Sequence, residues 1–436
     1  MSAYNLVSFA GIFIIAACAW LLSSNRRVVN FRVVAWGVGL QLLFAFFVFV
    51  VPAGTKLFLW INDAVAVVLD SATAGTRFVF GRLALPPGAV NEAGETSLGY
   101  LLAFQGLPTI IFFAALVEAL YFLRVMPFVI KLFGRIFSRL MRVSGAESLA
   151  VASNIFVGVE SAIVVKPHLK EMTRSELGTI LTAGMGTIAS TVLALYVLLL
   201  QKSIPTIAGH LVSASILSAP ACILTAKLMM PETERPATLG VKVEPHYERA
   251  DNIVMALIHG AGDGLKLLGA IIALLIAFLG VLALVNILLG AAGGALNNLF
   301  GWHMNWSLET LLGYVFYPFT LLIGVPPSDA AAVAKIIGER TVTTEVVSYT
   351  ELARLIADGR LHDPRSAIIA SYALCGFTHV ASLAIFIGGT SALAPSRLRD
   401  LSLVGPRALA AAVLATLMTG AVAGAFYTGG SFFFVK

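Results

Sequence analysis

Two glutamates lie in strongly apolar segments of this 436-residue chain, where a charged side chain is costly. Glu160 lies two residues after Gly158 in NIFVGVESAIVVKPHL, residues 154–169, and Glu345 lies in ERTVTTEVVSYTEL, residues 339–352. A charged side chain in hydrocarbon costs roughly 2.5 to 3.5 kcal/mol on insertion scales. Retaining two such groups predicts a hydrated cavity with a polar ligand. An ion pair with a nearby lysine or arginine is the alternative.

The surrounding chain has the composition of a membrane protein. Hydrophobic residues make up 58% of it and charged residues only 12%. This predicts an all-α polytopic membrane protein, in which every apolar stretch long enough to cross a hydrocarbon core of about 30 Å is a helix. Eight stretches qualify: 5–23, 33–51, 99–123, 175–200, 207–229, 268–290, 366–389 and 405–427.

Basic residues predict the orientation of these spans. No basic residue precedes the first span, which argues against a cleaved signal peptide, and Arg26 and Arg27 follow it. Because cytoplasmic loops carry the excess of lysine and arginine, we expect a multi-pass protein of the cytoplasmic (inner) membrane with its N-terminus outside. The net charge of +6 reflects this topology, so a nucleic-acid partner is not expected.

Two further segments are apolar but interrupted. Residues 146–170 contain two half-length apolar runs on either side of 158–161, and residues 326–357 repeat the design around 338–345. Each run is too short to span a membrane alone. The pattern predicts two re-entrant helical hairpins.

The two hairpins belong to an internal repeat. Each is followed by an Arg-Ser pair, at 174–175 and 365–366, and then by a span with a small polar cluster, at 187–190 and 378–382. The number of loops between the two copies implies that they cross the membrane in opposite directions. An inverted repeat brings two re-entrant hairpins together near the bilayer centre, so Glu160 and Glu345 are expected to face each other.

These patterns divide the chain into four parts. Residues 1–123 contain the N-terminal spans and, at 55–82, an outer interfacial helix, partly a scaffold. Residues 124–230 form the first repeat with spans four and five. Residues 231–267 form a cytoplasmic linker and an interfacial helix. Residues 268–436 contain span six and the second repeat with spans seven and eight.

Several blocks of the sequence resemble the concentrative nucleoside transporters. They are GAESLAVASNIFVG at 145–158, MTRSELGTILTAGMGTIAS at 172–190, LLGYVFYPFTLLIGVP at 311–326 and CGFTHVASLAIFIGGTSALAPSRLRDL at 375–401. The resemblance implies a homotrimer of eight-span protomers in the lipid bilayer. It also implies an elevator-like transport domain that carries nucleoside with sodium, or with protons in some members.

The resemblance implies a sodium site. In sodium-coupled members the ion is held by an asparagine side chain, a valine carbonyl, a serine or threonine hydroxyl and an isoleucine carbonyl. These positions are Asn154, Val157, Thr187 and Ile188. Broken helices expose backbone carbonyls beside a cavity, as a hard cation requires. Hydrogen bonds within and between helices are the alternative for Asn154 and Thr187.

Substrate positions are only partly retained. The family has a Gly-Gln-Thr-Glu run at the first hairpin tip, where this chain has Gly158, Val159 and Glu160, so the base-reading amide is missing. Gln105 lies in AFQGLPTII, which resembles a block lining the substrate side.

The ribose-binding positions of the second repeat fall on Glu345, His379 and Ser382, with Phe377 beside them. Histidine replaces the family's asparagine. Neutral imidazole offers one donor and one acceptor, and it can also become a cation near neutral pH. A carboxylate can accept from two adjacent hydroxyls, which a ribose presents.

The sequence therefore predicts a secondary active transporter for cation-coupled nucleoside uptake, with sodium as coupling ion and protons as the alternative. A same-fold symporter for a different polar or anionic metabolite, and a passive channel, stay open. No His-Glu-x-x-His, Gly-x-Ser-x-Gly or Walker A motif is present, so an enzyme is not expected.

Overall fold

The computed structural model describes residues 2–91, 94–247, 249–301 and 303–429, without the side chain of Val159. Its regular structure is helical throughout these residues, and they contain no β-strand beyond an isolated bridge. The predicted all-α class is confirmed.

The described residues up to Met141 form six α-helices and a short 3-10 helix, Gly81–Ala84. Asn30 caps the second, its side-chain oxygen accepting from the backbone N–H groups of Arg32 and Val33, as N-cap asparagines do. The helices are α1 (Ala3–Leu21), α2 (Phe31–Phe49), α3 (Pro52–Phe80), α4 (Leu102–Gln105), α5 (Thr109–Phe122) and α6 (Val125–Met141).

The first repeat begins with a capped helix. Ser144 accepts from the backbone N–H of Glu147, and Thr173 forms a capping box with Glu176 at the start of the third element. The elements are α7 (Gly145–Asn154), a 3-10 helix (Val159–His168), α8 (Arg174–Gly186), α9 (Ser190–Leu200) and α10 (Ile207–Met229).

The connection between the repeats differs from the predicted division at 267/268. Residues assigned to an interfacial helix and those assigned to span six form one uninterrupted helix, α11 (Ile253–Phe300). The chain there carries no proline, and its glycines do not interrupt the helix. A shorter helix, α12 (Leu308–Leu322), follows.

The second repeat has the same order of elements as the first. A proline at the first helical position begins two of its helices, where the missing N–H costs nothing. The helices are α13 (Pro327–Val342), α14 (Glu345–Ala357), α15 (Pro364–Ala373), α16 (Val380–Leu393) and α17 (Leu398–Phe426).

In each repeat a packed helical pair is followed by a broken helix. The first pair turns at 155–158 and the second at 343–344, close to the predicted interruptions. The following span is interrupted at 187–189 in the first repeat and at 374–379 in the second. We call these two interruptions break 1 and break 2.

Eight helical stretches of the described chain are long and apolar enough to cross a membrane. The number equals the prediction, but the sets differ: the predicted interfacial helix at 55–82 belongs to a candidate span, whereas span seven, 366–389, is divided by break 2 into two short helices. The stretches are Ala3–Leu21, Phe31–Phe49, Pro52–Ala84, Leu102–Phe122, Arg174–Leu200, Ile207–Met229, Ile253–Phe300 and Pro395–Phe426.

The most buried helices belong to the two repeats. α8, α10 and α17 pack on one another, and α15 packs on α17. A charged cluster lies inside this core: Nζ of Lys227 is 2.7 Å from Oε1 of Glu147 and 2.9 Å from the hydroxyl of Ser175. This core holds breaks 1 and 2 in place.

Candidate functional site

Glu345 is the first residue of α14 and is almost fully buried. Its Oε1 accepts a hydrogen bond of 2.7 Å from the hydroxyl of Tyr196 on α9. Its Oε2 lies 3.0 Å from Nε2 of His379. A buried carboxylate needs such partners, and here one comes from each repeat.

His379 begins α16 as its N-cap. Its Nδ1 accepts the backbone N–H of Ser382 at 3.1 Å, and its own backbone N–H lies 3.4 Å from the hydroxyl of Ser382. Because Nδ1 is the acceptor, the proton of the neutral ring resides on Nε2, which faces Glu345. Glu345 Oε2 has this 3.0 Å contact but no hydrogen bond of good geometry among the described residues, so it keeps acceptor capacity.

Ser382 and Phe377 are held within the same cap. The Ser382 hydroxyl contacts the carbonyl oxygen of Phe377 and lies 2.7 Å from that of His379. The Phe377 side chain is partly buried against the core. The structure thus brings together Glu345, His379 and Ser382, as predicted, with Phe377 beside them.

Tyr196, which donates to Glu345, also packs against Tyr349. Their rings are stacked with centroids 4.5 Å apart, and the hydroxyl of Tyr349 donates to the carbonyl of Ser371 at 2.8 Å. Both rings are fully buried. Sequence reasoning missed Tyr196 because it lies in the apolar run LALYVLLL, which carries no local sign of a polar partner.

Glu160 has different surroundings. It is exposed into a cavity of about 560 Å³ between α5, the 3-10 helix and the first turns of α11. Other polar groups share this cavity: Glu118, Tyr121, Lys166, His246, Tyr247, His259, Asp263 and Lys266.

The prediction that Glu160 and Glu345 share one cavity is therefore wrong. The cavity is not lined by Glu345, whose carboxylate is taken up by Tyr196 and His379. α16, whose N-cap His379 contacts Glu345, packs against the 3-10 helix that carries Glu160, but the two acids have separate environments. The side chain of Val159 lies outside the described residues.

Gln105 does not join either group. It ends the short helix α4, and its side-chain amide donates to the carbonyls of Gly99 at 2.7 Å and Leu83 at 3.3 Å. These bonds tie down the loop before α5. The substrate role of Gln105 stays a prediction.

Asn154 ends α7 and is fully buried. Its side-chain NH₂ donates to the carbonyl of Ala150 at 3.0 Å, but its Oδ1 has no hydrogen-bond partner among the described residues. A buried acceptor without a donor is costly. Binding of a cation to Oδ1 is therefore favourable, because it gives this buried acceptor a partner.

Break 1 lies directly against Asn154. The hydroxyl of Thr187 is 2.8 Å from the backbone carbonyl oxygen of Asn154, and the backbone N–H of Ser190 donates to the carbonyl of Phe156 at 3.0 Å. Val157 and Ile188 both lie outside regular helix. The structure thus brings the four predicted sodium-binding residues to one meeting point of two helix interruptions.

Ser215 joins the two interruptions and was not found from the sequence. Its hydroxyl donates to the carbonyl of Ile155 at 2.8 Å and lies 3.4 Å from that of Ile188. A serine in the apolar helix α10 gives no local signal of this role. The oxygen donors around Asn154 suit a hard cation such as sodium.

Three family models match the chain. They are the N-terminal part of the sodium-dependent nucleoside transporters at residues 10–83, a nucleoside recognition "Gate" model at 103–203, and the C-terminal part of the same transporters at 210–424. The uncharacterized transporter YutK of Bacillus subtilis is 38% identical, and the match covers 95% of this chain and 98% of that protein. The chain belongs to the sodium-dependent nucleoside transporter family.

Family membership confirms the resemblance seen in the sequence, and it makes the protein a membrane transporter and not an enzyme. Mouse solute carrier family 28 member 3 is 37% identical over 435 residues, or 96% of this chain. The match spans 58% of the length of that relative. Rat sodium/nucleoside cotransporter 1 is 35% identical over 97% of this chain.

Solved structures of the transporter family have the same fold. CNTnw in an inward-facing substrate-bound state superposes with a TM-score of 0.84 at 33% identity, covering 97% of this chain and 98% of that one. A CNTnw variant in an outward-facing state gives a TM-score of 0.85 at 32% identity. Proteins of this fold thus occur in states open to either side.

Proposed function

We propose that the protein is a sodium-coupled nucleoside importer of the cytoplasmic membrane that works by an elevator-like mechanism, in which a transport domain carries nucleoside and sodium. Asn154 Oδ1, a buried acceptor without a donor at the meeting point of two helix interruptions, is the observation that carries the sodium coupling. Family membership supports nucleoside as the cargo over another polar metabolite.

Glu345 is the proposed ribose-binding group. Its two oxygens are already oriented by Tyr196 and His379, so binding would not have to pay for ordering the side chain. Carboxylate oxygens have further lone pairs for the two adjacent hydroxyls of a ribose, and such charge-assisted bonds are strong. Ser382 and Phe377 complete this group of residues, with Ser382 as a further hydroxyl.

Glu160, together with Val159, is the proposed contact for nucleoside after it leaves Glu345, because the two acids do not line a common cavity. The cavity beside Glu160, about 560 Å³, falls in the size range of small-molecule pockets. It is lined in part by His246 and Tyr247 of the linker between the repeats, which the charge pattern predicts to be cytoplasmic. We infer that nucleoside leaves through this cavity.

Sodium would couple to cargo through the first helical pair. Bound between Asn154, Val157, Thr187 and Ile188, the ion would tie the end of α7 to break 1, from which α9 carries Tyr196 to Glu345. Ordering these residues strengthens nucleoside binding. Bound nucleoside then strengthens sodium binding by the same coupling free energy, typically about 1–3 kcal/mol.

The protein is further proposed to be a homotrimer with its N-terminus outside and two re-entrant hairpins. α11 supports the oligomer. In the most apolar 18-residue segment of this long helix, only 6% of the residues are buried within one protomer. Apolar residues cover its exposed surface, including Ile276, Ile287 and Leu288. Contact with a second copy, or with lipid, would cover them.

Uptake of radiolabelled uridine and adenosine into proteoliposomes tests the function. A sodium gradient should drive accumulation, and Asn154→Ala should abolish the sodium stimulation. Gln41→Ala is the matched control, because Gln41 is also a buried amide that donates to the carbonyl four residues back and has an unpartnered oxygen, but lies on α2. Sodium-independent uptake by the wild type, or equal sodium dependence in both variants, contradicts the proposal.

A further inference from the structure

Arg340 is a fully buried arginine in the last turn of α13. Among the described residues no carboxylate lies within ion-pair distance of Arg340, although Glu345 interacts with it electrostatically from farther away, and its Nε has no hydrogen-bond partner. Burying a cation without a counter-ion is expensive. The guanidinium is therefore retained for what its charge does at this place.

The contacts of Arg340 lead to the end of a half-helix. Its Nη1 donates to the carbonyl of Ala373 at 2.5 Å, and its Nη2 donates to the hydroxyl of Thr416 at 3.2 Å. Ala373 is the last residue of α15, where break 2 begins. The last carbonyls of a helix carry the negative end of its dipole, so a positive charge is favourable there.

At each break the last turn of a hairpin helix lies against the end of a half-helix, but different groups make the contact. At break 1 the hydroxyl of Thr187, the residue after α8 ends, donates to the backbone carbonyl of Asn154 in the last turn of α7. At break 2 the guanidinium of Arg340, in the last turn of α13, donates to the backbone carbonyl of Ala373, where α15 ends. At break 1 the hairpin side chain presents an unpaired oxygen. At break 2 it presents a cation.

The two breaks also touch each other. A Cβ atom on Gly376, in break 2, would lie 3.0 Å from the carbonyl oxygen of Met185 and 3.1 Å from the carbonyl carbon of Gly186, at the end of α8. The backbones approach this closely only because residue 376 is glycine. The sodium site and Arg340 therefore belong to one compact region in which two half-helix ends meet.

We propose that Arg340 is a tethered cation that takes, at break 2, the place that sodium takes at break 1. This inference rests on the proposed sodium site at Asn154. It implies that one repeat carries a removable cation and the other a permanent one, so that a single sodium ion accompanies each nucleoside.

Removing the charge should create a demand for a second ion. In Arg340→Gln the amide oxygen would join the Ala373 carbonyl and the Thr416 hydroxyl as oxygen donors facing an uncompensated helix end. Arg340→Lys keeps the charge. Arg365→Gln is the matched control, since Arg365 is also buried and donates to backbone carbonyls, but at the other end of α15.

The measurement is the thermal midpoint of the detergent-purified protein as sodium replaces potassium at constant ionic strength. Each bound ion adds its own dependence on the logarithm of sodium concentration. Wild type and Arg340→Lys should show the slope of one site, and Arg340→Gln about twice that slope. Arg365→Gln should lower the midpoint without changing the slope. Charge movement per uridine in proteoliposomes should give one sodium for the wild type.

The following outcomes would overturn the proposal. A folded Arg340→Gln protein with the wild-type sodium slope, or a wild type that moves two sodium ions per uridine, overturns the tethered cation. If Arg340→Gln cannot be recovered in either salt, Arg340→Lys decides, because loss of sodium-coupled uptake in a folded lysine variant would show that charge alone is insufficient. A wild type indifferent to sodium would instead refute the proposed function.

Discussion

The hydroxyl of Tyr196 lies 2.7 Å from Oε1 of Glu345, and this bond joins a half-helix of the first repeat to the helical pair of the second. His379 approaches the other carboxylate oxygen at 3.0 Å from within the second repeat. The orientation of Glu345 therefore depends on how the two repeats are packed together. The cargo site and the sodium site are connected through α9, which begins at break 1 and carries Tyr196.

Replacing Tyr196 by phenylalanine should weaken nucleoside binding while preserving the fold. The ring stays stacked on Tyr349, but the bond to Glu345 is lost. Such a bond to a charged group contributes about 1.5–3 kcal/mol, so the uridine Kd should rise by roughly 10- to 100-fold. Equilibrium binding at saturating sodium measures this. Tyr349→Phe, which loses only the bond to Ser371, should bind nearly normally; equal Kd values in the two variants would argue against the role of Tyr196.

Glu345→Gln should separate cargo binding from sodium binding. The amide keeps the size of the side chain but loses the charge that strengthens bonds to ribose hydroxyls. We expect loss of measurable uridine binding with the sodium-induced rise in thermal midpoint retained. Glu351→Gln, on the same helix and half-buried, is the control for charge removal. Normal uridine binding by Glu345→Gln would exclude the carboxylate as the ribose contact.

His379→Asn should remain stable, whereas His379→Ala should not. Asparagine is among the best N-cap residues and can accept the Ser382 N–H in place of Nδ1, while loss of the cap costs about 0.5–2 kcal/mol. The alanine variant also loses the contact to Glu345. Thermal midpoints and uridine binding test this. An inactive but well-folded asparagine variant would show that imidazole itself is required.

Ser215→Ala should weaken sodium binding. Its hydroxyl holds the carbonyl of Ile155 beside that of Ile188, and a neutral hydrogen bond contributes about 1 kcal/mol, or roughly fivefold in the half-saturating sodium concentration. Ser218→Ala is the control on the same helix, because Ser218 bonds to Ala214 within α10 and to Thr419. The measurement is uridine uptake against sodium concentration. Identical curves would remove Ser215 from the site.

Lys227→Met should be strongly destabilising. Lys227 and Glu147 are both buried and 2.7 Å apart, and removing one partner of such a pair costs about 3–5 kcal/mol because the other charge is left unpaired. Lys227→Met combined with Glu147→Leu should recover part of the loss, because the buried charge of Glu147 is then gone, while Glu232, 3.4 Å from Nζ of Lys227, is partly exposed and can be solvated. The midpoint of thermal unfolding in detergent measures both the loss of stability and its recovery. No recovery in the double variant would mean that the pair, and not its charge balance, holds α7 to α10.

Much of the architecture could be predicted from local features. Long apolar runs predicted most of the spans, and the repeated interruptions with their Arg-Ser pairs predicted a duplicated order of elements that the structure contains. Asn154 and Thr187 could be proposed because family blocks resembling this sequence surround them. Their meeting at break 1 agrees with that proposal.

Partners far apart in the chain could not be predicted. Tyr196 and Glu345 are separated by 149 positions, and Arg340 reaches Thr416 on the last helix. Neither contact leaves a mark on local periodicity, which reports only which face of a helix is apolar. The continuity of α11 was missed for a related reason: charged residues near its start suggested an interface, although helix-forming residues continue through them.

The sequence by itself determined the membrane class, the family, the repeat and the few polar residues retained inside apolar segments. All of these follow from composition and order along the chain. Only the tertiary structure decided that Glu160 lines an open cavity while Glu345 is held between Tyr196 and His379, and that an arginine faces the end of α15. The reason is physical: a buried polar group must be satisfied by whichever atoms the packing brings beside it, and those atoms come from elements distant in the chain.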